Sequence, residues 1–201
     1  MSPYSRLDDE EAESPPMGEP NAFLEEALFK ARTILLTGGI DFKQAKRVCE
    51  RLLALSSANP KEPILLVISS PGGHVESGDM IHDMIKFVAA PVKVLGTGWV
   101  ASAGALIYSA AKKENRFALK NTRFLLHEPR GGVGGQATDV EIQAREILKM
   151  RERLNQIFAD ATGKSLEQIK KDTDRDFWMS ADEAVKYGLV NKIVTNQGEI
   201  K

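Results

Sequence analysis

The residues most able to do chemistry are a serine, a histidine and a group of carboxylates in segments between predicted helices and strands. Ser102 stands among the small residues 100–105 (Val-Ala-Ser-Ala-Gly-Ala), which would leave room for a substrate beside its hydroxyl. A serine at the start of a helix commonly serves only as an N-cap. The segment is also not a G-x-S-x-G elbow, because Val100 occupies the position of the first glycine. A nucleophilic role for Ser102 therefore depends on a base that lies near it in space.

The chain has three histidines, and their sequence settings differ. His127 follows the apolar run 124–126, so a strand would hold its ring at the rim where loops gather. His74 follows two glycines and could line a site, although the start of a helix explains it equally well. His82 lies within an amphipathic helix and is expected to be a partly exposed bystander. His127 is therefore the best candidate base, with a structural role at the strand end as the alternative.

An acidic segment, 171–176 (Lys-Asp-Thr-Asp-Arg-Asp), offers carboxylates that could orient an imidazole. Acidic runs are mostly solvated surface, and spacing alone does not choose among Asp172, Asp174 and Asp176. The residues by themselves indicate a candidate serine hydrolase whose acid is unassigned.

A pair of glycines, Gly72 and Gly73, lies in the segment 69–74 between a predicted strand and a predicted helix. Paired glycines let the backbone turn sharply and present its N–H groups without obstruction. Those groups add to the positive end of the helix dipole. The segment is either an oxyanion hole or anion site, or a plain tight turn.

The elements that must position these residues alternate between the helix period and the strand period. Such alternation predicts right-handed βαβ units in a mostly parallel sheet, with the chemistry in loops beyond the carboxyl ends of the strands. The continuous apolar run 63–68 predicts a strand covered on both faces. The loops of interest are 69–74, 96–103 and 127–136. The predicted helices are 21–31, 41–57, 75–88, 102–112, 138–161, 165–171 and 180–187, and the predicted strands are 33–37, 63–68, 91–96, 117–119, 123–127 and 192–195.

Length and composition restrict the class of protein. With 201 residues the chain is expected to form about one domain. Its 27 Lys and Arg residues nearly balance its 28 Asp and Glu residues. No strong electrostatic field would therefore draw the chain to nucleic acid or to an anionic membrane. The lone Cys49 excludes an intramolecular disulfide and a two-cysteine zinc site, which favours a reducing, cytoplasmic location. No apolar run reaches the length of a membrane-spanning helix.

The first 20 residues differ from the rest of the chain. They hold one basic residue against six acidic ones, and four of the nine prolines. Like charges repel and proline blocks a helix, so 1–20 is expected to be a flexible acidic, proline-rich segment, and 21–201 the folded domain. A solvated tail is the simplest interpretation of this segment, and a gate or a processed leader is the functional alternative.

Five groups of short motifs recur in a characteristic order: 70–73 (Ser-Pro-Gly-Gly), 101–105 (Ala-Ser-Ala-Gly-Ala), His127 with Pro129, 134–139 with 144–148, and 172–176 with 180–184 and 187–190. In that order and spacing, over about residues 22–196, the chain resembles the Clp protease (ClpP) family, the proteolytic subunits of ATP-dependent Clp proteases. The resemblance implies a serine endopeptidase with Ser102 as nucleophile, His127 as general base and Asp176 as orienting acid. It also implies that the backbone N–H groups of Gly73 and Ala103 form the oxyanion hole.

The resemblance further implies a crotonase-like α/β fold of repeated βαβ units, with a protruding handle strand and long helix at about 128–161. Members stack two seven-membered rings around a chamber, and this chain would do so with copies of itself or with a paralogous ClpP. Asp174 and Arg175 match residues that pair between the rings. An AAA+ unfoldase such as ClpX, ClpA or ClpC would use ATP to feed unfolded polypeptide into the chamber, so this chain itself is expected to need no cofactor and no metal.

Four residues match positions of the pocket that grips the unfoldase: Leu65, Val67, Phe87 and Phe117. The first two are aliphatic where many members have aromatic residues, and the acidic N-terminal segment also departs from the family pattern. Two alternatives follow. One is a weakly active or structural paralogue that needs a partner ring. The other, less favoured because the Ser-His-Asp set is retained, is a crotonase-like acyl-CoA enzyme.

Overall fold

A computed structural model describes residues 22–129 and 134–200. Within this part of the chain a seven-stranded sheet carries helices, as the alternating pattern predicts. The strands are β1 (Thr33–Thr37), β2 (Ile64–Ser70), β3 (Val92–Ala101), β4 (Arg116–Ala118), β5 (Arg123–Leu126), β6 (Phe177–Ser180) and β7 (Lys192–Ile193). The helices are α1 (Ala22–Lys30), α2 (Phe42–Ala58), α3 (Val75–Phe87), α4 (Ala103–Ser109), α5 (Ala137–Thr162), α6 (Leu166–Thr173) and α7 (Ala181–Tyr187).

The strand order β1-β2-β3-β4-β7 is parallel throughout. The long strand β3 changes partner along its length: Val94–Gly96 pair with β4, whereas Trp99–Ala101 pair with β5. The sequence prediction treated 96–103 as a loop, and this was wrong, because β3 continues to Ala101 and brings its end beside the end of β5. The strand β6, which the prediction missed, pairs antiparallel with β5.

The core lies between one face of the sheet and the helices α2, α3 and α4. Ile64, Leu66 and Ile68 of β2 are fully buried in it, whereas the alternating Leu65 and Val67 are only half-buried. The prediction that this strand is covered on both faces was therefore wrong. Its alternating burial follows from the two-residue period of a strand: the side chains of one face join residues of α2, α3 and α4 in the core.

Local capping follows the sequence closely. The Asp41 side chain accepts a hydrogen bond from the backbone N–H of Gln44 at 2.7 Å and so caps α2. Gly163, in the left-handed conformation at φ 73°, ends α5. Ser180 and Glu183 form a capping box at the start of α7. No helix within the described residues is long and apolar enough to cross a membrane.

The predicted segment 1–20 lies outside the described residues, and the predicted handle, 128–161, includes residues 130–133, which also lie outside them. The described part of that region consists of Glu128, Pro129 and residues 134–161, most of which belong to α5. The domain boundary at residue 21 stays a prediction.

Candidate active site

Ser102 stands at the junction of β3 and α4 in an unusual backbone conformation. Its φ of 55° and ψ of −122° lie where residues other than glycine are uncommon. Its amide donates to the carbonyl oxygen of Leu125 at 3.0 Å, which fixes the serine to β5. Ser102 is the N-cap residue of α4, but its side chain makes no capping hydrogen bond. A capping role is the simplest expectation for a serine at the start of a helix, but this hydroxyl does not cap α4. The backbone of Ser102 is also strained, and strain of this kind is often found at functional sites.

The glycine pair packs directly against this serine. A Cβ atom on Gly72 would lie 2.5 Å from Ser102 Cβ and 3.0 Å from Ser102 Oγ, so only glycine fits there. Gly73 pairs with Ile40: the Ile40 amide donates to the Gly72 carbonyl and the His74 amide donates to the Ile40 carbonyl, each at 2.8 Å. Hydrogen-bonding groups of successive strand residues point to opposite sides. The N–H of Gly73 is therefore directed away from Ile40.

The pairing of β5 with β6 brings His127 and Asp176 together. Leu126 is paired with Phe177, so the next residue on β5 and the preceding one on β6 are neighbours. His127 Nδ1 lies 3.6 Å from Asp176 Oδ1, an ion-pair distance that is longer than a hydrogen bond. The histidine side chain is 12% exposed and the aspartate side chain 41% exposed. The ring is thus held in a largely buried setting with a carboxylate beside Nδ1.

The other two carboxylates of the acidic segment are engaged elsewhere. Asp172 accepts hydrogen bonds from the Tyr187 hydroxyl at 2.6 Å and from Gln168 at 2.7 Å. Asp174 lies 3.8 Å from the neighbouring Arg175, and both side chains are exposed. The structure therefore distinguishes three carboxylates that sequence spacing could not: Asp176 lies beside His127, whereas Asp172 and Asp174 have other partners.

Ser102 and His127 line the same small pocket. The remaining wall is apolar and comes from α3, α4, α5 and the residue after Glu128; it consists of Val75, Ala103, Leu106, Pro129, Leu154 and Phe158. Sequence reasoning missed most of these wall residues, because their approach depends on how three helices pack. The side chains that surround the hydroxyl and the imidazole in this pocket are therefore mainly apolar.

The remaining histidines lie apart from this pocket. His74 is exposed, with Nδ1 2.9 Å from Ser77 Oγ and Nε2 3.2 Å from Glu76. His82 is buried, and the expectation that it is partly exposed was wrong. His82 lines a pocket together with residues of both α4 and α5, so helices that are distant in sequence lie next to it. No cluster of three or more potential metal ligands occurs among residues 22–129 and 134–200.

The residues expected to meet partners are found in different settings. Leu65 and Val67 are partly exposed on the face of β2 that points away from the core. Phe87, the last residue of α3, is exposed, whereas Phe117 on β4 is buried. Their role in docking stays a prediction.

Comparison with known proteins gives consistent matches over nearly the whole chain. The Clp protease family model matches residues 18–197. The ATP-dependent Clp protease proteolytic subunit 2 of Gluconobacter oxydans is 57% identical over 201 residues, covering 99% of this chain and 88% of that protein. The subunit 2 of Pseudomonas aeruginosa is 55% identical over 183 residues, covering 91% and 90%. A point mutant of ClpP1 from Listeria monocytogenes has a solved structure with TM-score 0.83 and 53% identity, covering 89% of this chain and 99% of that one.

These matches confirm the family resemblance and the ClpP/crotonase-like fold that the sequence motifs predicted. They extend well beyond the short motifs, because both coverage and identity are high along the chain. The chain belongs to the Clp protease family.

Proposed function

We propose that this chain is the proteolytic subunit of an ATP-dependent Clp protease and hydrolyses peptide bonds with Ser102, His127 and Asp176. Membership of the family implies serine endopeptidase activity. The observation that carries the residue assignment is geometric: Ser102 and His127 line one pocket, and strand register sets Asp176 beside His127.

The proposed mechanism uses the two ring nitrogens of His127 for different tasks. Nδ1 faces Asp176, which leaves Nε2 for Ser102. His127 takes the proton from Ser102 Oγ as this oxygen bonds to the peptide carbonyl carbon. It then gives that proton to the leaving amine as the C–N bond breaks, and water hydrolyses the acyl-enzyme by the reverse sequence. Asp176 orients the ring and stabilises its charged form. The Nδ1–Oδ1 separation of 3.6 Å is expected to shorten when substrate binds, as such contacts commonly do.

Backbone amides supply the proposed oxyanion hole. Ala103 is the first residue of α4, so its N–H has no acceptor within the helix. The N–H of Gly73 is directed away from Ile40, and Gly72 sits against Ser102. Two such donors aimed at the carbonyl oxygen would stabilise its developing charge.

The proposed substrate is unfolded polypeptide, whose backbone would meet Ser102 next to the apolar side chains of Leu154 and Phe158. We further propose that two heptameric rings stack, with Asp174 and Arg175 at the ring contact, and that an AAA+ unfoldase docks near Leu65, Val67 and Phe87. ATP is used by that partner, and the hydrolytic steps proposed for this chain use no cofactor. The exposed positions of Asp174 and Arg175 suit a contact between chains.

The test is native mass spectrometry of the purified chain together with hydrolysis of a short fluorogenic peptide, with Ser102→Ala as control. A fourteen-subunit particle whose peptide hydrolysis is lost in Ser102→Ala supports the proposal. Equal hydrolysis by the Ser102→Ala protein contradicts it. A smaller, inactive species that gains activity on mixing with a paralogous ClpP instead identifies a subunit that needs a partner ring.

A further inference from the structure

The segment that carries Asp176 is tied to the segment that carries His127 by a backbone hydrogen bond beyond the strands. The Glu128 amide donates to the Thr173 carbonyl oxygen at 2.8 Å. Glu128 directly follows His127, and Thr173, the last residue of α6, comes shortly before Asp176. The position of Thr173 therefore helps to set the separation between the imidazole and the carboxylate.

The side chain of Thr173 fixes the end of α6 against α5. Thr173 is 1% exposed and Asn155 is 3% exposed. Thr173 Oγ1 lies 2.9 Å from Asn155 Oδ1 and 2.9 Å from the carbonyl oxygen of Ile169. A buried polar contact of this kind is costly to break, because the group left behind loses a partner without gaining water. Thr173 therefore has one strongly preferred position.

The neighbouring contacts are weaker anchors. Arg151, one turn before Asn155 on α5, lies 3.3 Å from the Glu128 carboxylate, but both side chains are substantially exposed, and such pairs contribute little. Asp174 and Arg175, which connect Thr173 to Asp176, are also exposed. Within one chain, burial thus fixes this connection at Thr173 rather than closer to the carboxylate.

We propose that Thr173, held by Asn155, is a positioning residue that sets the geometry of the His127–Asp176 pair. Neither residue touches the reacting atoms. The Thr173 carbonyl holds the segment that carries His127, and the backbone from Thr173 leads directly to Asp176. Because Asn155 of α5 holds Thr173, this helix supports both members of the pair. This assignment rests on the proposed function, because it gives the two residues a part in the hydrolytic site.

The test compares two substitutions at Thr173 with a matched buried threonine. Thr173→Val keeps the branched shape and removes the hydroxyl, whereas Thr173→Ser keeps the hydroxyl. Thr162 is also buried, and its hydroxyl donates to the Phe158 carbonyl within α5 at 2.7 Å, so Thr162→Val is the control for loss of a buried hydroxyl. With the full assembled protein, Thr173→Val is expected to lower kcat for a fluorogenic peptide by about 100-fold, the effect typical of a misplacement near 1 Å, with KM nearly unchanged. Thr173→Ser restores kcat, and Thr162→Val retains it.

Wild-type kcat in assembled Thr173→Val overturns the inference, as does an equal loss in Thr162→Val. If Thr173→Val does not assemble, Asn155→Ser replaces it, with a lower kcat expected and a wild-type kcat overturning the inference. Where both single variants assemble, their double variant should lose no more than the larger single loss, because both act through one contact. Failure of the proposed function is distinguishable: a fluorophosphonate probe then leaves Ser102 of the wild type unlabelled, whatever happens at Thr173.

Discussion

Replacement of Gly72 by alanine is expected to inactivate the site while the protein stays folded. The new Cβ would lie 2.5 Å from Ser102 Cβ and 2.9 Å from the Ala101 carbonyl oxygen, where ordinary van der Waals contact begins at 3.4 Å. The close atoms belong to the backbone and to a Cβ, so no flexible side chain can rotate away. The serine must therefore move by roughly 1 Å, and a misplacement of that size costs about 100-fold in rate. The positive φ of Gly72, 101°, adds strain of about 1–3 kcal/mol to the folded state.

Gly163→Ala is the matched control for backbone strain alone. Gly163 also has a positive φ, 73°, but its added Cβ would meet nothing within 4 Å. This variant is expected to lose about 1–2 kcal/mol of stability and to keep its activity. The assay is kcat/KM for a fluorogenic peptide, measured beside thermal denaturation and the rate of fluorophosphonate labelling. Wild-type hydrolysis by Gly72→Ala, or an equal loss in Gly163→Ala, would refute the reasoning.

Three further outcomes follow from contacts of single side chains. Asp176→Asn should lower kcat by about 10⁴-fold, as loss of the orienting carboxylate does in triads, whereas Asp172→Asn should leave peptide hydrolysis unchanged because Asp172 accepts from Tyr187 instead. Burial is the larger cause that raises the pKa of Tyr187 above its ordinary 10.0, and the hydrogen bond to Asp172 is the second. The protonated phenol therefore stabilises the folded state fully below about pH 10, and this stabilisation falls as the pH rises further. Tyr187→Phe should accordingly reduce the loss of stability with rising pH in alkaline denaturation. Burial also raises the pKa of the Cys49 thiol to about 11, so alkylation by iodoacetamide at pH 8 should be slow in the folded protein and fast in denaturant; equal rates would contradict it.

Much of the fold follows from local sequence signals. The Asp41 side chain caps the start of α2, and the left-handed backbone of Gly163 ends α5. Both helix ends depend only on residues that are close in sequence. The alternation of apolar runs predicts the parallel sheet, and the ends of β3 and β5 therefore present Ser102 and His127 at one edge. Ser102 and His127, the candidate nucleophile and base, could thus be proposed as neighbours from the residue pattern alone.

What the residue pattern could not supply is long-range pairing. Asp176 is selected by the antiparallel register of β6, a strand of four residues (Phe177–Ser180) that was not predicted. The aromatic pair at its start was an available signal, since aromatic residues favour strands. His82 is buried, and it lies beside residues of α4 and α5 that are distant in sequence. The contact between Asn155 and Thr173 likewise depends on the packing of α5 and α6.

The most direct measurement of the central claim is the site of covalent modification by a fluorophosphonate probe, located by tandem mass spectrometry of the labelled protein. Ser102 is predicted to carry the label in the wild type, and labelling is predicted to fall sharply in His127→Ala because the hydroxyl loses its base. Labelling of another serine, such as Ser70 or Ser77, or labelling of Ser102 that is as fast without His127, would contradict the account.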